Sequence, residues 1–451
     1  MNIYFHIDEL NRDAIVASVL KKKFAQKGHN LIYGNRATNR LLKYLHRAFD
    51  VIVVPRPHML YDNWGDDWMT WDTRFVMLSS ESLGIICKDH LVMASTLLER
   101  GYFEGKRKYV DRIDAFCFWG SKQLQAIKDY ADEISHKCHV VGHPRHDTGC
   151  VNDQRIVATT TIRTKTVIGV ITRAVALNDY FGRSPLDAYT TLFDDHFQYE
   201  FINRTTGENL PSKRAGATPT DTLIVQAIDA KTTLMIISSL VKASYEVKVR
   251  VHPKENTDVW KDLLKRCNLS AEISSSRLPI ANWIKSVDYL VGPPSTSFYD
   301  AVMLGVTPIS ISELDPRRKE CIGELWEDNN RLMEYIFKPK TIEDLLDYID
   351  KEVRNFNSNE ILSILKDEAD YPDCGSSLDK VVSVCMADTS AKRNRRFQLL
   401  WFRFSRYAFF KAWRIRNSIL GRKENSAMFA MGAEESRFID TLSLAPILPK
   451  P

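Results

Sequence analysis

Nowhere in the 451 residues do about 18 apolar residues follow one another, so no ordinary membrane-spanning helix is expected. The eight cysteines (Cys87, Cys117, Cys138, Cys150, Cys267, Cys321, Cys374 and Cys385) stand singly. With no CxxC pair, neither the common zinc site nor a redox dithiol is indicated. Thiols this sparse read as small buried hydrophobes, reduced in a cytosolic protein. No GxGxxG follows the first apolar run, which argues against a standard dinucleotide site, and no repeat of fixed period occurs. The opening Met1-Asn2-Ile3-Tyr4-Phe5-His6-Ile7-Asp8 lacks the basic start and long apolar core of a secretory leader and reads as a strand.

What is present is the mix of a folded globular protein, 44% apolar and 26% charged, long enough for two or three domains. The 62 Lys and Arg exceed the 57 Asp and Glu by only +5, yet Lys392–Lys423 alone holds eleven basic residues and no acid. The rest of the chain is therefore net acidic. Aromatics interleave with those bases: Phe397, Trp401, Phe402, Phe404, Tyr407, Phe409, Phe410 and Trp413. Such a pattern suits a helix in the interface of an anionic membrane. It also suits RNA, or a helix packed on the protein's own body. We expect a basic amphipathic membrane-surface segment over 391–423 and a flexible tail over 424–451.

Upstream, short β-rich runs alternate with helical spacing. Strands are expected at Asn2–Ile7, Leu31–Gly34, Val51–Pro55, Phe75–Ser79, Ala115–Gly120 and Cys138–Gly142, with helices between them. A second series follows, with strands at Lys165–Thr172, Thr222–Ile228, Glu246–Val251, Tyr289–Gly292 and Pro308–Ile311. Buried strands alternating with helices predict parallel sheets covered on both faces. The expectation is thus an α/β chain of two doubly wound domains facing a cleft. The first covers 1–149, a linker or insertion covers 150–221, and the second covers 222–390. A single long helix over Asp221–Lys242 also fits the apolar spacing of the Thr222–Ile228 region.

Ligands of open parallel sheets bind at strand C-termini, so polar residues just past strands are the candidates. Arg250-Val251-His252-Pro253 ends one strand, and its imidazole can donate to a phosphate or carboxylate. Gly292-Pro293-Pro294-Ser295-Thr296-Ser297 leads into a helix whose first N–H groups and hydroxyls make a phosphate cradle without a P-loop lysine; plain N-capping uses the same residues. Asp229, in Gln226-Ala227-Ile228-Asp229, offers a nucleophile or base, or merely a helix cap. Glu81, after Ser79-Ser80, is a candidate base toward an acceptor hydroxyl. Asp66-Asp67 and Asp194-Asp195 follow no convincing strand, so no metal site is expected. His143-Pro144-Arg145-His146-Asp147 closes the first domain and reads as a hinge element.

Together these motifs resemble GT-B glycosyltransferases, more narrowly the bacterial surface-polysaccharide enzymes that use CMP-activated acidic sugars. Sialyltransferases of that type carry an HP motif and a Ser/Thr-Ser motif that hold the CMP phosphate. The retaining β-Kdo transferases of capsule and O-antigen synthesis carry the HP motif and a Gln-x-x-Asp segment, to which Gln226-Ala227-Ile228-Asp229 is similar. The resemblance implies two Rossmann-like domains and a transferase moving Kdo from CMP-Kdo to a saccharide, with retention through a covalent Asp229–sugar intermediate. It implies Gln226, Arg250, His252, Pro253, Ser295, Thr296 and Ser297 around the donor. No metal or cofactor is implied, the CMP-sugar being a substrate. The implied partners are a lipid-linked saccharide acceptor, the inner-leaflet membrane surface and other polysaccharide glycosyltransferases, with no nucleic acid; the implied location is cytoplasmic, peripheral to the inner membrane. Alternative readings are a CDP-glycerol-type polyol-phosphate transferase, a sugar-nucleotide 2-epimerase, and a non-catalytic membrane- or RNA-binding scaffold.

Overall fold

The computed structural model of the protein describes residues 1–7, 10–34, 36–57, 59–60, 64–79, 90–91, 93–94, 97–98, 107–142, 144–145, 147, 165–179, 184–185, 219–274, 280–322, 331–353, 358–371, 377–387 and 396–419. The chain divides into two units. Unit 1 combines Met1–Ala158 with Leu365–Pro451, and unit 2 is Thr159–Ile364.

In unit 1 the strands are β1 (Asn2–His6), β2 (Asn30–Gly34), β3 (Val51–Val54), β4 (Arg74–Leu78), β5 (Ala115–Phe118) and β6 (Cys138–Val140). They form one parallel sheet in the order β2-β1-β3-β4-β5-β6. Helices α1 (Leu10–Gln26), α2 (Arg36–Leu45), α3 (Arg107–Arg112) and α4 (Ser121–Ala131) lie between them in sequence. Side chains of a strand alternate between faces, and here both faces are covered. Ile52, Val54, Phe75, Met77 and Phe116 pack with Trp64 and Trp68 on one side. On the other, Ile3, Phe5, Val51, Val53 and Val76 pack with Val16, Leu20 and Phe24 of α1.

Unit 2 repeats the scheme with β7 (Val167–Ile171), β8 (Glu246–Arg250), β9 (Glu272–Ser274), β10 (Tyr289–Gly292) and β11 (Thr307–Ser310). All pairings are parallel, in the order β11-β10-β7-β8-β9. Its helices are α5 (Pro219–Lys242), α6 (Thr257–Arg266), α7 (Ile280–Ile284), α8 (Ser297–Met303), α9 (Pro316–Ile322) and α10 (Ile342–Asp350). The chain then crosses back through α11 (Asn359–Ala369) to α12 (Ser377–Met386) and α13 (Arg396–Ile419). Leu378, Val381, Val382 and Cys385 of α12 complete the α1-side core of unit 1. The seam is close-fitting. Asp147 accepts the Leu378 amide at 2.9 Å. Gly142 has φ +75°, and a Cβ there would stand 2.2 Å from Ser377 Oγ.

Two parallel-sheet domains of doubly wound type are therefore present as expected, and three expectations need correction. Thr222–Ile228 is not a strand but the N-terminal half of α5. The run is apolar on nearly every side, so it shows no period of two, and only its 24-residue continuity marks it as helix. The expected linker 150–221 contains β7, the middle strand of the second sheet. The second domain does not extend to residue 390, because the apolar face of α12 is buried in unit 1. In addition, Leu223–Lys242 is long and apolar enough to match a membrane span by length and composition. Ile236, Ile237 and Leu240 are fully buried against the sheet, which makes it a core helix of unit 2.

Helix α13 rests on unit 1 by a narrow contact. Phe402 is fully buried, edge-on to Phe49 at 4.8 Å and to Tyr4 at 6.3 Å between ring centroids. Phe402→Ala is expected to cost unit 1 about 3–5 kcal/mol. Calorimetry would register this as a lower transition, and proteolysis of 396–419 would quicken.

Candidate functional site

In unit 2 the chain leaves β7 toward β8 and β9, then returns to β10 and β11 on the other side. That reversal leaves the C-terminal ends of β7 and β10 with connections running opposite ways, the place where open α/β sheets take ligands. Gly292 serves this point: a Cβ there would lie 2.2 Å from Ile171 Cγ1 and 3.0 Å from the Ile171 carbonyl oxygen. Only glycine lets β10 end so close to β7.

The expected phosphate residues stand on the two turns flanking β7. On the β10 side, Ser295 Oγ accepts the Ser297 amide at 3.2 Å and lies 3.2 Å from Ser297 Oγ. Ser295 and Ser297 are half-buried and Thr296 is buried. Helix α8 has only seven residues, so its dipole is weak and the hydroxyls carry most of the turn's donor capacity. On the β8 side, the His252 amide donates to Thr172 Oγ1 at 3.0 Å. The Lys254 amide donates to His252 Nδ1 at 3.2 Å. With Nδ1 an acceptor, the neutral ring carries its proton on Nε2, which makes it a hydrogen-bond donor. Strands β8 and β10 both adjoin β7, so the two turns begin about 10 Å apart.

One residue that sequence reasoning passed over organises this edge. Glu255, only 1% exposed, accepts Thr172 Oγ1 at 3.1 Å, the Ala174 amide at 2.8 Å and Trp260 Nε1 at 2.6 Å. Its own amide donates to the His252 carbonyl at 2.9 Å. Burial raises its pKa, and the donors from Ala174, Trp260, Thr172 and Asn178 oppose that rise. Glu255 thus ties the loop after β7 to the turn that carries His252. The available signal was position: a carboxylate between the strand-ending Pro253 and Asn256, which caps α6 by accepting the Asp258 amide at 3.0 Å.

Asp229 lies within α5, 1% exposed, with Oδ1 3.1 Å from Nε of Arg318, which is itself 4% exposed and lies on α9. A five-residue strand spans about 17 Å, the length of about eleven helical residues. Counted back from Lys242, Asp229 stands about half a turn beyond the strand ends. Gln226 agrees with this height, since its Oε1 accepts the amide of Ala176 in the loop after β7 at 2.6 Å. Helix α5 therefore delivers Gln226 and Asp229 to the C-terminal edge. Arg250 is different: it is buried on β8, 5.9 Å from the centroid of the Trp283 ring, with burial lowering its pKa to about 10. Pro253 follows His252 in the same turn and is half-buried.

Other sequence candidates separate from this edge. Glu81 and Asp194-Asp195 lie outside the described residues. Asp66 pairs with Lys108 at 2.8 Å and with the Tyr109 hydroxyl, while Asp67 pairs with Lys43 at 2.9 Å. In unit 1, Asp147 and Gly142 serve the α12 seam described above. Cys138 and Cys385 are free thiols whose burial pushes them up to about 12, so neither supplies a thiolate at neutral pH.

No family model matches the chain, and no curated protein matches it. Solved structures do. UDP-GlcNAc 2-epimerase from Neisseria meningitidis is 9% identical, with a TM-score of 0.46 over 86% of this chain and 100% of that one. The wall teichoic acid polymerase TagF is 10% identical, with a TM-score of 0.46 over 86% of this chain and 90% of that one. The S. aureus MnaA–UDP structure is 10% identical, with a TM-score of 0.46 over 85% and 94%. Likeness at this level assigns neither ligand nor chemistry to this chain.

Removing the Glu255 carboxylate would strand the Thr172, Ala174 and Trp260 donors. Glu255→Ala is expected to destabilise unit 2 by about 3 kcal/mol, read by chemical denaturation. Glu255→Gln, which keeps an acceptor oxygen, is expected to lose less.

Proposed function

We propose that the chain is a glycosyltransferase that takes an acidic 2-keto sugar, Kdo, from CMP-Kdo and passes it to a lipid-linked saccharide of surface-polysaccharide synthesis. The observation that carries this reading is the pairing of two donor-bearing turns, His252 on one side of β7 and Ser295–Ser297 on the other, at the sheet's reversal point. One imidazole N–H and a pair of hydroxyls match a single phosphate, the part of CMP that leaves. A phosphate ester leaves as a stabilised anion, so donors that grow stronger as charge develops matter more than protonation.

The carboxylate assigned to the sugar is Asp229. Its oxygen attacks the anomeric carbon as the bond from that carbon to the phosphate oxygen breaks, and CMP departs with the bonding electrons. The acceptor hydroxyl then attacks the same carbon, the ester bond to Asp229 breaks, and the hydroxyl proton passes to a base, for which Glu81 is the candidate. Two inversions give net retention. Arg318 compensates the Asp229 charge in the free chain, and the attack requires that contact to loosen as the sugar enters. Gln226, one helical turn before Asp229, supports the same placement through its bond to the loop after β7.

Incubation with CMP-Kdo and no acceptor should add one sugar mass to the intact protein, and Asp229→Asn should abolish the adduct. His252→Ala should weaken CMP binding about tenfold by calorimetry. Turnover of UDP-GlcNAc or CDP-glycerol, with CMP-Kdo left unused, would overturn the donor assignment.

A further inference from the structure

The buried contact of α13 fixes which way the helix faces. Leu399 and Phe402 are buried, and Arg406 lies 5.7 Å from the centroid of the Tyr33 ring. At about 100° per residue, Phe397, Leu400, Trp401, Phe404, Tyr407 and Ile415 fall within an arc of about 120° on the opposite side. Each of these six is between 53% and 77% exposed. Trp401 and Phe404 stack at 5.8 Å, joining successive turns of this face, and Lys411 falls in the same arc between Tyr407 and Ile415. Other exposed large apolar residues among those described, such as Tyr44, Tyr130, Val259 and Tyr335, belong to separate elements.

Contiguous apolar surface of this kind marks an interaction site, and charge identifies its occupant. The helix sequence holds Arg396, Arg403, Arg406, Lys411, Arg414 and Arg416, with no Asp or Glu. A second copy docked on the same face would bring the exposed Arg403 and Lys411 against their own counterparts, with no acid on the helix to offset them. A nucleic acid would meet Leu400 and Ile415, which neither stack on bases nor hydrogen-bond. An anionic bilayer satisfies both features at once, taking the apolar face into the acyl boundary and the cations among its phosphates.

We infer that Phe397, Leu400, Trp401, Phe404, Tyr407 and Ile415 form a preformed docking face for an anionic lipid surface, held in place by unit 1. This does not depend on the transfer chemistry, since the face and the unit 2 edge are separate features. The full chain should sediment with vesicles of about one-third phosphatidylglycerol in phosphatidylcholine and only weakly with phosphatidylcholine alone. Leu400→Asp with Phe404→Asp should lower that partitioning about tenfold or more while leaving the thermal transition in place, because both side chains are exposed. Arg403→Gln with Lys411→Gln should lower binding to the anionic vesicles and reduce its sensitivity to salt. As a second readout, brominated lipid should quench the wild-type fluorescence, and Trp401→Phe should remove most of the quenchable signal.

Several results would overturn the inference. These are failure of the wild type to bind anionic vesicles, equal binding by the Leu400/Phe404 variant, or equal quenching after Trp401→Phe. So would a dimer that the Leu400/Phe404 variant splits while vesicles go unbound. Oligonucleotide binding lost in that variant, again without vesicle binding, would assign the face to nucleic acid instead.

Discussion

Where parallel strands stop, their last backbone groups lose the ladder, and the loops that follow need another source of hydrogen bonds. In unit 2 that source is the Glu255 carboxylate. It binds a hydroxyl and an amide from the loop after β7 and an indole from α6, and its own amide binds the turn after β8. Thr172 extends the connection, donating its hydroxyl to Glu255 while accepting the His252 amide. The imidazole is therefore held by more than its own turn, where the Lys254 amide meets Nδ1. Its backbone anchor comes through Thr172 from a buried carboxylate that four separate donors contact.

This dependence explains what the sequence made legible. Val51–Val54 and Tyr289–Gly292 could be read because both faces of their sheets are covered, so every position is apolar and β-branched or aromatic residues dominate. Glu272–Ser274 could not, since three residues with one apolar side chain carry no period. Thr222–Ile228 misled for the opposite reason: a helix apolar on nearly all sides looks like a buried strand in a seven-residue window. His252 and Ser295–Ser297 were found by their position just past strands. Glu255 and Arg318 escaped because their importance comes from partners 83 and 89 positions away in the chain.

The two halves of the C-terminal region illustrate the same limit. The cations and aromatics of α13 were plain in composition, yet composition alone left open which residues point outward. Phe402 and Leu399 decide that question by entering the unit 1 core. For α12 there was no comparable local sign. Its Leu378, Val381 and Val382 have ordinary amphipathic spacing, and only the tertiary structure shows that they cover a sheet formed more than 230 residues earlier.

That return has a consequence during synthesis. As the ribosome extrudes the chain from its N-terminus, the first sheet emerges without the helix that seals part of one face. All of unit 2 must be translated before Leu378 and its neighbours arrive. The nascent N-terminal part of unit 1 therefore passes through a stage with exposed apolar strands, a period when chaperone cover matters most. The inserted unit, contiguous in the chain, has everything needed to fold in the meantime.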